Sequence, residues 1–270
     1  LNTTDDCKSN LLKGKKGIIM GVANNRSIAS GIAESFVNHG AEIGISYHPN
    51  LESRAVGIAD QLNASFAYPC DADNEGEIAG FFNKVGNHWD NVDFLVHSIA
   101  FADKTYMNGK YSDVTKDAFA QAMNISCYSF TAAARECAPL MKNGGSMITL
   151  SYYGAVKYIP NYNVMGVAKS ALEASVMYLA NDFGVDNIRV NCISAGPVRT
   201  LASSAIKDFP ELLTWHKTHS PIKANTTLEE VGGTATYLVS ELSHGVTGEI
   251  IYVDSGYHTI GVRSPENDIK

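Results

Sequence analysis

Seven short apolar runs, separated mostly by stretches of helical periodicity, constrain this chain more than any other feature. The runs fall at residues 16–22, 41–47, 65–70, 92–100, 146–151, 188–194 and 249–253. Between them, residues 28–39, 51–62, 75–89, 115–141, 162–183 and 228–242 repeat their apolar positions at helical spacing. Gly40 and the pair Gly144–Gly145 supply helix stops. Strands alternating with helices build βαβ units, and those units build a parallel sheet. The pattern predicts an α/β fold: a Rossmann-like, doubly wound, parallel seven-stranded sheet in a single domain over residues 13–270. Residues 1–10 are polar and lack the apolar core of a signal peptide, and residues 1–12 are read as a flexible N-terminal extension. Residues 195–226 fit no single element. Their amphipathic pieces, 201–207 and 211–217, lie between Pro197, Pro210 and Pro221. A segment this long between a strand and a helix is read as a substrate-binding lid.

Composition removes several classes of function. A net charge of −7 without a basic block disfavours nucleic acid and anionic membrane as partners. No apolar run reaches the ~18–20 residues that cross a bilayer. The five cysteines are odd in number and contain no C-x-x-C, which argues against a disulfide framework and a thiolate zinc site. A reducing, cytoplasmic compartment is expected. His216 and His219 have a spacing that metals can use, but no third ligand lies near them in sequence, so no metal is expected.

The first run passes into Gly21 and then Ser27, Ile28 and Gly31. A loop from a first strand to a helix N-terminus offers free N–H groups and a positive dipole end to an anion. The usual G-x-G-x-x-G is absent. Gly21 supplies a turn, Ser27 a cap, and Gly31 close helix–strand packing. A capped helix with no ligand reads the same way. The second run ends at His48 without the carboxylate that often binds an adenosine ribose. A neutral His48 can hydrogen-bond a ribose, and a protonated one tolerates a 2′-phosphate. An exposed loop histidine fits equally.

After the fifth run come Tyr152, Tyr162 and Lys169. At ~3.6 residues per turn, positions seven apart return to nearly one helix face. A phenol and an ammonium on one face can serve one ligand: the phenol donates to a carbonyl, and the ammonium holds a sugar hydroxyl and lowers the phenol pKa. Taken alone, the pair also suits a tyrosine packed at a helix start and a solvated lysine.

Three motifs stand in order: Gly21-x5-Ser27-x-Ala29, His97-Ser98-Ile99-Ala100 and Tyr152-x9-Tyr162-x6-Lys169. Together they resemble the divergent branch of the short-chain dehydrogenase/reductases, and within it the NADH-dependent enoyl-acyl-carrier-protein reductases of bacterial fatty-acid synthesis. The similarity extends through residues 159–166, 190–197 and 199–202 and covers nearly all of 13–255. It implies reduction of a trans-2-enoyl thioester, on acyl-carrier protein or coenzyme A, by hydride transfer from NADH to C3, with NADPH left open. It also implies that Gly21, Ser27 and Ile28 meet the pyrophosphate, that Asp71 and Ala72 flank the adenine beside His48, and that Ser98 and Ile99 lie at the nicotinamide-side ribose. Lys169 would hold the ribose hydroxyls, and Val198, Arg199, Thr200, Leu201 and Ala202 the carboxamide and phosphates. Ala102 would lie beside the acyl thioester with Tyr152 and Tyr162, and Tyr162 would donate to the oxygen where negative charge develops. His48 replaces a frequent glutamine, and Ala100 a frequent glycine. The runner-up is a carbonyl or 3-ketoacyl reductase, against which the six-residue spacing and Tyr152 argue; a non-catalytic dinucleotide sensor is a third reading. In the resembled family, helices like the alanine-rich 132–134 and 171–180 pair subunits, so a homotetramer is expected.

Overall fold

The strand runs are apolar throughout because helices cover both faces of the sheet. The computed structural model describes residues 9–200, 203 and 206–262. Its strands are β1 (Lys16–Met20), β2 (Glu42–Tyr47), β3 (Phe66–Pro69), β4 (Phe94–His97), β5 (Gly145–Ser151), β6 (Ile188–Ala195) and β7 (Ile250–Val253). They form one seven-stranded sheet in the order β3-β2-β1-β4-β5-β6-β7, with every neighbouring pair parallel. The order reverses between β1 and β4, and ligands of such sheets bind outside the carboxyl ends of the strands at that point.

The helices are α1 (Ile28–Asn38), α2 (Glu52–Gln61), α3 (Glu75–His88), α4 (Lys104–Met107), α5 (Lys116–Met123), α6 (Ser129–Cys137), α7 (Asn163–Gly184), α8 (Phe209–His219) and α9 (Leu228–Val239). Adjacent strand residues feed opposite cores, as the period of two requires. Ile18 and Met147 pack with Phe81, Phe130 and Val176 on the face covered by α3, α6 and α7. Ile19 and Ile148 pack with Ile32, Phe36, Ile58 and Leu238 on the face covered by α1, α2 and α9.

Five expectations are corrected. The extension is not loose up to residue 12, because Leu12 is fully buried and its amide bonds His39 O at 2.8 Å. The helix expected over 115–141 is α5 and α6 joined by a π-helical turn, Asn124–Tyr128, and followed by a 3₁₀ turn, Ala138–Leu140. Pro210 does not separate two pieces of the 195–226 segment; it sits in the first turn of α8, where its missing N–H costs nothing. Gly31 serves helix–helix contact, since a Cβ there would stand 2.7 Å from Leu228 Cβ on α9. Ala132, Ala133 and Ala134 are fully buried in the core and face no second subunit.

Candidate active site

The loops after β1 and β4 meet at the reversal point. Gly21 has φ +90°, and a Cβ there would lie 2.3 Å from Ser98 O and 2.9 Å from Ile99 Cγ1. Only glycine lets both loops close together. The Gly21 and Val22 amides donate to Ser46 O at 3.1 and 3.2 Å, which ties this turn to β2. Ser27 is the N-cap of α1: its Oγ accepts from the Ser30 amide at 3.2 Å and donates to Asn24 O at 2.8 Å. Ile28 opens the helix behind it, so the positive end of α1 faces the cleft.

At the other end of this cleft, His48 Nδ1 accepts from the Asn50 amide at 3.2 Å, and its Nε2 stands 3.9 Å from Asp71 Oδ2. Ala72 is buried beside them. A carboxylate next to the imidazole suits ribose hydroxyls better than a phosphate dianion.

Tyr162 is not a helix residue. It is the N-cap of α7, between Asn161 at φ +60° and Asn163 at φ +35°. Asparagine tolerates this left-handed region better than most residues. Both amides also tether the turn. Asn161 Nδ2 donates to Lys207 O at 3.1 Å, and Asn163 Nδ2 to Tyr106 O and Gly109 O, both at 3.3 Å. The Tyr162 ring fills the space left by Gly154, whose Cβ would sit 2.4 Å from Tyr162 Cδ1. It meets Tyr152 edge to face, with ring centroids 5.1 Å apart.

Lys169 is buried within α7, 5% exposed, and its Nζ donates to Leu150 O at 2.6 Å. Burial lowers its pKa to about 8, against the opposing pull of Cys192, Cys127 and Glu173. The expected acidification of the phenol does not occur. Burial, with Tyr152 and Glu173 adding to it, pushes the Tyr162 hydroxyl well above its ordinary value. Tyr162 is therefore a neutral hydrogen-bond donor. Burial likewise raises Tyr152, followed by the influence of Tyr257 and Asp254.

A third apolar cluster, apart from the two sheet cores, encloses both phenols. It contains Ala102, Met107, Ala122, Val164 and Met165, with Ile206 packed against it from the 195–226 segment. Ala102, Tyr152 and Tyr162 are thus brought together. Val198, Arg199 and Thr200 follow β6, where Thr200 and Ser203 lock each other through backbone-to-hydroxyl bonds of 2.8 and 3.0 Å. Leu201 and Ala202 lie outside the described residues. His216 packs inside against Tyr257, and His219 stacks on Trp215. Among the described residues no group of three or more potential ligands is placed to hold a metal.

Sequence reasoning missed Asn161, Asn163 and Gly154, although asparagines on both sides of a tyrosine are a usable sign of left-handed turns. It named His97 in the second motif but gave it no role of its own. That imidazole is fully buried between Ser129 Oγ at 2.8 Å and Thr149 Oγ1 at 3.3 Å, and burial, with the Lys169 charge, holds its pKa down to about 3.

Comparison with known proteins bears on the family and the fold. A family model described as enoyl-(acyl carrier protein) reductase matches residues 21–258. The enoyl-[acyl-carrier-protein] reductase [NADH] 1 of Rhizobium meliloti is 51% identical over 95% of this chain and 94% of its own. The enoyl-(acyl-carrier-protein) reductase of Anaplasma phagocytophilum, solved in complex with NAD, superposes with a TM-score of 0.91 at 48% identity, covering 96% of this chain and 97% of its own. The Bacillus cereus enoyl-acyl carrier protein reductase, solved with NADP+ and an indole naphthyridinone, gives 0.92 at 46% identity, covering 94% and 100%.

Proposed function

The chain belongs to the enoyl-(acyl-carrier-protein) reductase family, and we propose that Tyr162, Lys169 and Tyr152 carry its reaction in the chamber around Ala102. The enzyme reduces trans-2-enoyl-acyl-carrier-protein thioesters with NADH in fatty-acid synthesis. When bound, NADH supplies the hydride that C3 of the enoyl group receives. The residues present fit this cofactor. A Cβ at Gly21 would fill the cradle between the β1 and β4 loops, and Lys169 keeps donors in reserve beyond its bond to Leu150 O. Gly21, Ser27 and Ile28 hold the pyrophosphate, His48, Asp71 and Ala72 the adenosine end, and Ser98, Ile99 and Lys169 the nicotinamide-side ribose. Val198 to Thr200 border the carboxamide.

One observation carries the reading. The Tyr162 side chain is buried, its hydroxyl has no hydrogen-bond partner among the described residues, and its ring packs with Tyr152 in the apolar cluster that also holds Ala102. Burial keeps the hydroxyl protonated, so it donates to the thioester oxygen. As negative charge grows there, that bond becomes charge-assisted and strengthens. The Lys169 ammonium adds a positive potential, and Tyr152 walls the pocket edge-on. Met107, Val164, Met165 and Ile206 take the acyl chain, which makes residues 195–226 the lid over it. Because these groups meet the acyl portion, enoyl-coenzyme A thioesters are substrates as well. Four cysteines, Cys70, Cys127, Cys137 and Cys192, are free thiols, in keeping with a cytoplasmic location. A homotetramer is part of the same reading.

Tyr162→Phe tests it. One donor aimed at developing charge is worth on the order of 10²–10³ in kcat. The variant is expected to lose that factor on crotonyl thioesters while its NADH dissociation constant stays at the wild-type value. Wild-type turnover would remove Tyr162 from the chemistry, and a preference for acetoacetyl over crotonyl thioester would favour ketone reduction.

A further inference from the structure

The π-helical turn at Asn124–Tyr128 has no part in the roles assigned above. Such turns interrupt α-helices rarely and are concentrated at functional sites. Two of its side chains leave the helix for the loops that follow β3 and β4. Asn124 Nδ2 donates to Asp73 Oδ1 at 2.7 Å and to Asp73 O at 3.2 Å. Gln121 Nε2 supports it 3.5 Å from Asp73 Oδ2. Ser126 is fully buried, and its Oγ donates to Phe101 O at 2.8 Å and accepts from the Phe101 amide at 2.9 Å. One hydroxyl thus satisfies both backbone groups of one loop residue.

The β4 loop has little else to hold it. From Ile99 to Asp103, the Phe101 amide is the only backbone N–H with a hydrogen-bond partner among the described residues. Ile99 and Ala102 stand on either side of that anchor. Asp73 likewise follows Asp71 and Ala72 directly and bonds back to Asp71 Oδ1 through its amide at 3.0 Å. Helix positions two apart do not share a face, so Asn124 and Ser126 can serve two different loops.

We infer that this turn is a two-sided clamp, in which Asn124 sets the loop beneath the adenosine end of NADH and Ser126 sets the loop beside the acyl thioester. Each is a positioning residue for its own ligand. The inference rests on the cofactor and substrate assignments proposed above. Its physical basis is that small misplacements of a site loop are costly, up to about 10²-fold for ~1 Å.

Separation of effects is the test. Ser126→Ala should raise KM for an enoyl thioester by about five- to thirtyfold, the factor that corresponds to one or two lost hydrogen bonds of ordinary strength. Its NADH dissociation constant should rise by a clearly smaller factor, because Ile99 shares that loop while the Ser98 amide keeps its own bond to Met20 O. Asn124→Ala should do the reverse, weakening NADH by a similar factor and leaving the enoyl KM at saturating NADH unchanged. Constants that rise by the same factor in both variants, or that rise in neither, overturn the clamp. Hydrogen exchange on the wild-type enzyme decides the same point if Ser126→Ala does not fold: the Phe101 amide should be protected while those of Ala100 and Ala102 exchange fast. Equal rates at the three overturn it. Tyr162→Phe, assayed alongside, separates the two failures. If it loses turnover while the clamp variants show no separation, the clamp alone is wrong. If it keeps turnover, the site assignment is wrong, and exchange at Phe101 still judges the clamp.

Discussion

At the scale of single residues, the site is made by placing polar groups where water is scarce. Lys169 shows the consequence. Its pKa is lowered to about 8 by burial, so it is charged below that pH and neutral above it. In the proposed role of Lys169 at the ribose hydroxyls, its positive charge is lost as pH rises, not as it falls. We expect kcat/KM for NADH to show an alkaline limb near pH 8 in the free enzyme, since that ratio reports the free enzyme's ionisations. A flat profile to pH 10, measured with enzyme shown to be folded there, would contradict the burial. Tyr162 adds no limb in this range, because its phenol is shifted the other way. His97, held down to about 3, is neutral throughout. The Tyr162–Lys169 pair was legible in the sequence, but the reason given by helical period was not the operative one. Tyr162 lies outside α7, and two left-handed asparagines and the space at Gly154 set its position. Periodicity sees helices; it does not see the strained turn before one.

At the scale of elements, the alternation of runs announced all seven strands and their covering helices, because burial on both faces leaves a strong apolar signal. What it could not announce was breakage within a continuous helical pattern. Through α5, the π turn and α6 the apolar spacing continues, and the extra residue appears only in the hydrogen bonding. The seat of α1 was hidden for a related reason. Gly31 reads in sequence as a helix–strand contact and Gly232 carries no sign of its own, yet together they let α1 and α9 touch: a Cβ at Gly232 would lie 2.8 Å from Ser35 Cβ and 3.0 Å from Gly31 O. Backbone cannot yield as a side-chain tip can. Gly232→Ala should therefore lower unfolding free energy by about 1–3 kcal/mol, the usual cost of overpacking. The urea midpoint should fall with an unchanged slope, while kcat per folded enzyme is retained. An unchanged midpoint would mean that the contact is looser than the backbone spacing implies.

At the scale of the whole molecule, α7 joins the site to the outside. Its inner face carries Lys169, Leu172 and Val176, all buried. Its outer face presents Ala174, Met177 and Tyr178, the last two 58% and 72% exposed. Large apolar side chains at helical spacing on an exposed face mark an interaction surface. The simplest partner for a long straight helix is its own copy across a two-fold axis, where each residue meets itself or a near neighbour. The alanine-rich signal at 132–134 marks the core, where all three residues are fully buried, because small residues suit a crowded core as well as a crowded interface. Tyr178→Lys would place like charges close together across such an axis. Light scattering should then show the mass falling from four chains to two or one, with the loss reduced at high salt, where the repulsion is screened. A wild-type enzyme that is monomeric at assay concentration, or a variant that stays tetrameric in low salt, would move the subunit contact away from α7.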